Sequence, residues 1–156
     1  MRRLPAILAL IVMLGAGVPA QAADHPGARA ALKILTTGLA VAGTTSYCLD
    51  KTAFDPKLVD AWNSWNARHE GMMRLVMALL SSQGALTDEL EAEINRTTRE
   101  RVLTHFADSR GDTLATVKTC IAWRDELMRG KWDMADRPDT GADWALIEQA
   151  LQKARR

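Results

Sequence analysis

Between Asp55 and Gln83 the chain carries an unbroken apolar arc at helical spacing, and this arc limits the folds open to everything else. Leu58, Trp62, Trp65, His69, Met72, Val76 and Leu79 follow one another at alternating steps of four and three. Val59, Met73, Met77 and Leu80 widen the arc beyond a two-stranded coiled-coil seam, to the breadth a bundle interior requires. Asp55 stands as N-cap before Pro56, whose missing N–H costs nothing at the first helical position. Such a helix is roughly 42 Å long. An arc of that width and length is covered by other helices packed along it.

The flanking segments supply them. From Ala28 to about Ala42 an Ala-rich stretch sets Leu32, Leu35 and Leu39 on one face, with Ile34 and Val41 beside them. Gly43-Thr44-Thr45 is poor helix material, so this helix is expected to fray there or to resume through Tyr47 and Cys48 to Leu49. Residues 50–54 link to the organising helix, and Gly84 is placed to end it as the C′ residue. Thr87 caps a third, polar helix reaching about Ala107, with Asp88 and Glu89 matched to the positive end of its dipole. Its apolar face is Leu90, Ile94, Val102 and Phe106.

Asp112 caps a fourth helix running to about Arg129. Leu114, Val117, Ile121 and Met128 are its expected core face, with Cys120, Trp123 and Leu127 extending the arc, and Gly130 stops it. Lys131 to Gly141 reads as an irregular connector. A last helix, capped at Thr140, packs Trp144, Ile147 and Leu151. No strand alternation, internal repeat or low-complexity tract interrupts this pattern. The expected architecture is all-α: a four-helix bundle with an additional C-terminal helix and one disulfide, forming a single domain over residues 24–156.

The N-terminus has the organisation of an export leader. Arg2 and Arg3 precede an apolar run from Leu4 to Leu14, which Gly15, Gly17 and Pro19 break before the small-x-small triplet Ala20-Gln21-Ala22. Residues 1–22 are thus read as a cleaved signal peptide, with the mature chain starting near Ala23 or Asp24 in the periplasm or outside the cell. Left uncleaved, the uncharged stretch 4–23 would be the chain's membrane contact. Loss of Arg2 and Arg3 takes the formal charge from +1 to −1. A near-neutral chain lacks the basic footprint of a nucleic-acid binder, and that class is excluded.

An oxidising compartment makes the two cysteines, Cys48 and Cys120, a structural disulfide. The bridge closes a loop of about 70 residues, for which loop-closure entropy gives on the order of 4 kcal/mol. The organising and third helices are expected to form a hairpin turning near Ala85, and the fourth helix turns back near Arg110. Counted from those turns, Cys120 lies well above the start of the organising helix. The bridge therefore requires residues 43–54 to climb along the bundle wall.

Candidate chemistry gathers around two histidines. His69 falls in the middle of the organising arc, and His105 ends a polar row with Glu91 and Thr98 on the third helix. Two His and a carboxylate could hold a divalent metal, although core-edge histidines satisfied by hydrogen bonds fit the pattern as well. His69, Met72, Met73 and Met77 lie close together, and imidazole with thioether suits a copper ion; equally, Met fills irregular bundle cores. A Met and a His could also hold haem without covalent attachment. His69-Glu70 opens like a zinc-protease helix, but Met73 stands where the second His must be. Neither a covalent-haem motif nor a nucleophile elbow or phosphate loop is present.

Three surface features complete the reading. Arg124 falls within the apolar arc of the fourth helix and needs either a carboxylate, with Asp60 or Glu91 the candidates, or an outward path to water. Arg110-Gly111-Asp112 and Asn95-Arg96-Thr97 spell short motifs that serve equally as a helix break with its cap and as helix surface. Trp132 and Trp144 flank the connector, where they either seal the open end of the bundle or anchor a partner. Without a catalytic constellation, the leading expectation is a small exported protein that binds another protein as an inhibitor, chaperone or immunity-type partner. A metal carrier for copper, or a haem carrier, built on His69, His105 and the nearby Met residues comes second, and an enzyme third.

Overall fold

The helix that touches the others is the first one. In the computed structural model, which describes residues 26–82 and 86–154, α1 (Pro26–Lys51) packs against α2 (Pro56–Ser82), α3 (Asp88–His105), α4 (Thr113–Met128) and α5 (Gly141–Ala154). Among the described residues, the other main helix–helix contact is α2 with α4. A 3₁₀ turn, Ala107–Ser109, joins α3 to α4. The described chain is thus all-α, a bundle of four helices with α5 laid against it and one disulfide. No described helix is long and apolar enough to cross a membrane. The leader, its cleavage site and Gly84 lie outside the described residues.

Why α1 takes the centre follows from its small side chains. Ile34, Leu35, Thr36, Thr37 and Gly38 are all buried; five consecutive residues exceed one turn, so protein covers the helix all round at that level. Gly38 lets the Met73 side chain lie directly on the backbone: a Cβ there would stand 2.5 Å from the Met73 methyl. At Gly43 the same test meets Val102 of α3 at 3.1 Å. Small residues bring two neighbouring helices close to one axis, and packing outweighs the weak helix propensity of the segment.

Two sequence expectations are corrected here. Of the two outcomes open at Gly43-Thr44-Thr45, fraying is overturned and passage through Tyr47 and Cys48 is what the helix does, as far as Lys51. Thr44 and Thr45 are buried, and the Thr45 hydroxyl donates to the Val41 carbonyl one turn back at 2.8 Å. Satisfied in this way, a threonine is compatible with a buried helix interior. The second correction is that α3 finds its main partner in α1 and not in α2, so the expected hairpin of the second and third helices is not a packed pair.

The caps agree with the reading. The Lys57 N–H donates to the Asp55 carboxylate at 2.9 Å, the Leu90 N–H to the Thr87 hydroxyl, and the Ala115 N–H to the Asp112 carboxylate. Thr140 differs. Its carbonyl accepts the Trp144 N–H in the first turn of α5, while its hydroxyl turns back to donate to the Met134 carbonyl at 2.7 Å.

Cys48, near the end of α1, bridges to Cys120 of α4 across 5.2 Å between Cα atoms and 72 residues of sequence. Residues 43–51 reach that level as the last turns of α1, running along the bundle wall as the bridge demands. The chain then leaves α1 through a tight turn. Phe54 N–H donates to the Leu49 carbonyl at 2.8 Å, and Ala53 and Phe54 both take left-handed backbone angles, φ 50° and 60°. For residues with a Cβ this conformation costs about 1 kcal/mol each.

Candidate functional site

The interior polar groups converge on the connector between α4 and α5. Trp65 Nε1–H donates to the Trp132 carbonyl at 2.9 Å. One turn on, His69 is only 3% exposed. Its Nε2 accepts the Met134 N–H at 3.1 Å and its Nδ1 lies 2.7 Å from the Trp65 carbonyl. An Nε2 that accepts leaves Nδ1 to carry the proton, so the ring is the neutral tautomer. Burial pushes its pKa below the ordinary histidine value, which favours the same form. Arg68 forks onto Asp133 from the neighbouring edge, at 2.8 and 3.1 Å. Side chains of α2 thereby hold the main chain of Trp132 and Met134 and the carboxylate of Asp133 between them.

Both His69 nitrogens are engaged in this suture, and its ring stacks on Trp65 at 4.3 Å and meets the edge-on ring of Trp144 at 5.6 Å. Met72 is buried in the core, and Met73 is seated against Gly38. Among the described residues no group of three or more His, Cys, Asp or Glu is placed to hold a metal ion. The candidate ligands His69, Met72 and Met73 thus each have a packing or hydrogen-bonding role, whereas Met77 faces outward.

His105 is placed differently. Its ring packs edge-on against Phe106, Trp123 and Trp132, with centroids 4.9 to 6.4 Å away. Burial lowers its pKa, while the Glu126 carboxylate acts in the opposite sense. Its Nε2 is buried without a protein partner, as is the Thr98 hydroxyl one row back. Glu91, the third member of that row, is exposed. His105, Trp123 and Trp132 form part of the wall of a cleft of about 630 Å³ between α1 and α3. Arg101, whose guanidinium donates to the Thr37 hydroxyl at 2.9 Å, and Arg137, which lies over the Trp132 ring, also line it.

Trp132 and Trp144 are half-buried. The Trp132 indole donates to Glu126 at 2.9 Å and packs on Trp123, and Trp144 covers His69. Both close the end of the bundle over the connector. Arg124 pairs with neither Asp60 nor Glu91 but with Asp55 at 2.9 Å and with Asp125 beside it. Burial alone would raise the Asp55 carboxyl; the Arg124 guanidinium and the Lys57 N–H hold it below the usual range. The N-cap of α2 is thereby tied to α4.

The largest departure from the sequence reading is the face of α4. Its buried residues are Thr116, Cys120, Trp123 and Leu127. Leu114 is 64% exposed, Ile121 40% and Met128 55%. Three of the four expected core residues are therefore turned out, roughly 130° around the helix from the buried line, and Val117, between the two, is half-buried. The cause is competition between two arcs. Trp123 brings the larger apolar area and donates from Nε1 to the buried Thr45 hydroxyl at 3.0 Å, while Cys120 is held by the bridge. Phe54, 69% exposed, immediately precedes Asp55, whose carboxylate meets Arg124. Sequence spacing offered a signal for this surface, since Leu114, Ile121 and Met128 recur at steps of seven. Nothing in it marked Phe54, Arg68 or Asp133.

In comparisons with known proteins, no family matches the chain, and no curated protein or solved structure is significantly similar to it.

Proposed function

We propose that the mature chain, exported through its N-terminal leader, works by binding protein, in the manner of an inhibitor, chaperone or immunity-type partner. The observation that supports this reading is the outer face of α4, where three large apolar side chains recur along one line on a helix fixed by the disulfide. Single exposed apolar residues are ordinary, but an aligned row on a rigid support is the anatomy of a protein-docking surface. The half-buried Trp132 and Trp144, considered as anchors, are occupied in closing the bundle, which moves the proposed contact to α4.

The test is site-specific crosslinking in the native compartment. A photoreactive side chain at Leu114 or Met128 is expected to give discrete adducts, and the same group at Glu148, on α5, is expected to give none. Equal or absent labelling at all three positions removes the reading. A carrier of copper or haem is the second reading, and it draws on His105, whose Nε2 has no protein partner beside the cleft. Metal analysis and an absorption spectrum of protein taken from its own compartment decide it: a stoichiometric metal or a haem band lost in His105→Ala supports it, and their absence in the wild type rejects it.

A further inference from the structure

Leu114, Ile121 and Met128 are symmetric in sequence about Ile121, with seven residues on either side. A two-fold axis through Ile121, perpendicular to the helix, lays Leu114 of one α4 against Met128 of another running in the opposite direction. Such a contact is self-complementary, as a closed dimer requires. The flanking charges obey the same symmetry. Lys118 and Asp125, also seven apart, lie on one flank of the row, roughly 50° from its midline. In an antiparallel pair like flank meets like flank, so Lys118 of each copy comes level with Asp125 of the other, offset by about 1.5 Å. Lys118 is exposed and has no ion pair among the described residues, while Asp125 holds Arg124 through Oδ1 and has its other oxygen to offer.

We infer that the outer face of α4 docks onto the same face of a second copy of this chain, as an antiparallel helix pair centred on Ile121 and framed by two reciprocal Lys118–Asp125 ion pairs. This rests on the reading that the face binds protein, and names the partner. The geometry leaves room for two bodies: the buried face of each α4, with its bundle behind it, points away from the partner. A 16-residue helix presents a contact about 24 Å long. Interfaces of that extent fall at the small end of the specific range, so the dimer is reversible, with a dissociation constant of about 1–100 µM.

Sedimentation velocity of the purified mature chain across that range is expected to show conversion of monomer to dimer. Ile121→Asp, a surface change, is expected to remain folded by circular dichroism and to stay monomeric. Lys118→Asp and Asp125→Lys should each weaken dimerisation about tenfold by setting like charges opposite one another. Mixing those two variants should restore it, because each supplies the charge the other lacks. A wild type that is monomeric at about 1 mM overturns the dimer. In that event, discrete adducts to another protein at Met128 leave the binding reading standing, whereas no adducts remove both. A dimer that survives Ile121→Asp, or variants whose mixture does not recover, overturns the antiparallel pairing.

Discussion

Helix α2 gathers its apolar residues on one side, which the core takes in, whereas α4 spreads them round the helix, and the core takes in one line and leaves another facing water. On α2 the buried line is Leu58, Ala61, Trp65, His69, Met72, Val76 and Leu80, close to the arc that the spacing draws. On α4 two arcs overlap, and the one containing Cys120 and Trp123 wins. Periodicity identifies a helix in both cases. Choosing between competing faces takes information from elsewhere: a sulfur on α1, a threonine hydroxyl on α1, and an Asp at the start of α2. A face is settled by its partners, and α2 had a single candidate where α4 had two.

The contrast can be broken most directly at the sulfur bridge. Cys48→Ser and Cys120→Ser are each expected to lower stability by about 4 kcal/mol, with the double variant adding little, as read from thermal melts of oxidised protein. Clearly unequal losses would mean that the two thiols contribute separately and that α4 is oriented by something other than the bridge. Next in size is a matched pair of truncations. Leu58→Ala, in the core, should cost about 3 kcal/mol, whereas Leu114→Ala should change urea stability by no more than about 0.5 kcal/mol. Comparable losses at both sites would show that the outward arc of α4 is packed after all.

The smallest effect concerns the histidine that only α2's buried line contains. Burial lowers the pKa of His69, and likewise of His105, below 6.5 in the folded chain. The unfolded chain then binds more protons just below that pH, so stability is full above pH 6.5 and declines as the pH falls toward the depressed folded values. Each histidine contributes at most about 1.4 kcal/mol per pH unit to that slope. Asp55 and Glu126, whose carboxyls are held low, act only below their ordinary values of 3.8 and 4.5. His69→Gln should flatten the profile between pH 5 and 6.5, measured by urea titration at each pH; an unchanged slope would mean that the ring is already protonated in the folded state.

Against those tests, what was legible in the chain divides along the same line. Helix identities, the caps at Asp55, Thr87 and Asp112, and the pairing of Cys48 with Cys120 all depend on near neighbours or on a lone pair of sulfurs, and each was readable. The central place of α1 was not, because Gly43-Thr44-Thr45 allows either a frayed end or a continuing helix until Val102 and Trp123 are packed against it. His69 stood out correctly as a polar group in an apolar arc. Its purpose could not be read from α2 alone, since the groups it serves are backbone atoms of Trp65 and Met134. No side-chain identity at positions 132 and 134 announces that their main-chain atoms will be used.

That arrangement gives the connector an unusual dependence. Residues 131–140 form no regular element, yet Trp65, His69 and Arg68 grip three successive residues of it, and the Thr140 hydroxyl grips Met134 from within. Its shape is thus dictated from a helix some 65 positions earlier in the chain. In hydrogen exchange the Met134 amide should be as slow as those of α2 and should quicken when α2 opens, in spite of its place in a loop. Swapping this stretch for one of equal length would still offer Trp65 and His69 a carbonyl and an N–H, and only Arg68, which needs the Asp133 carboxylate, would lose its hold.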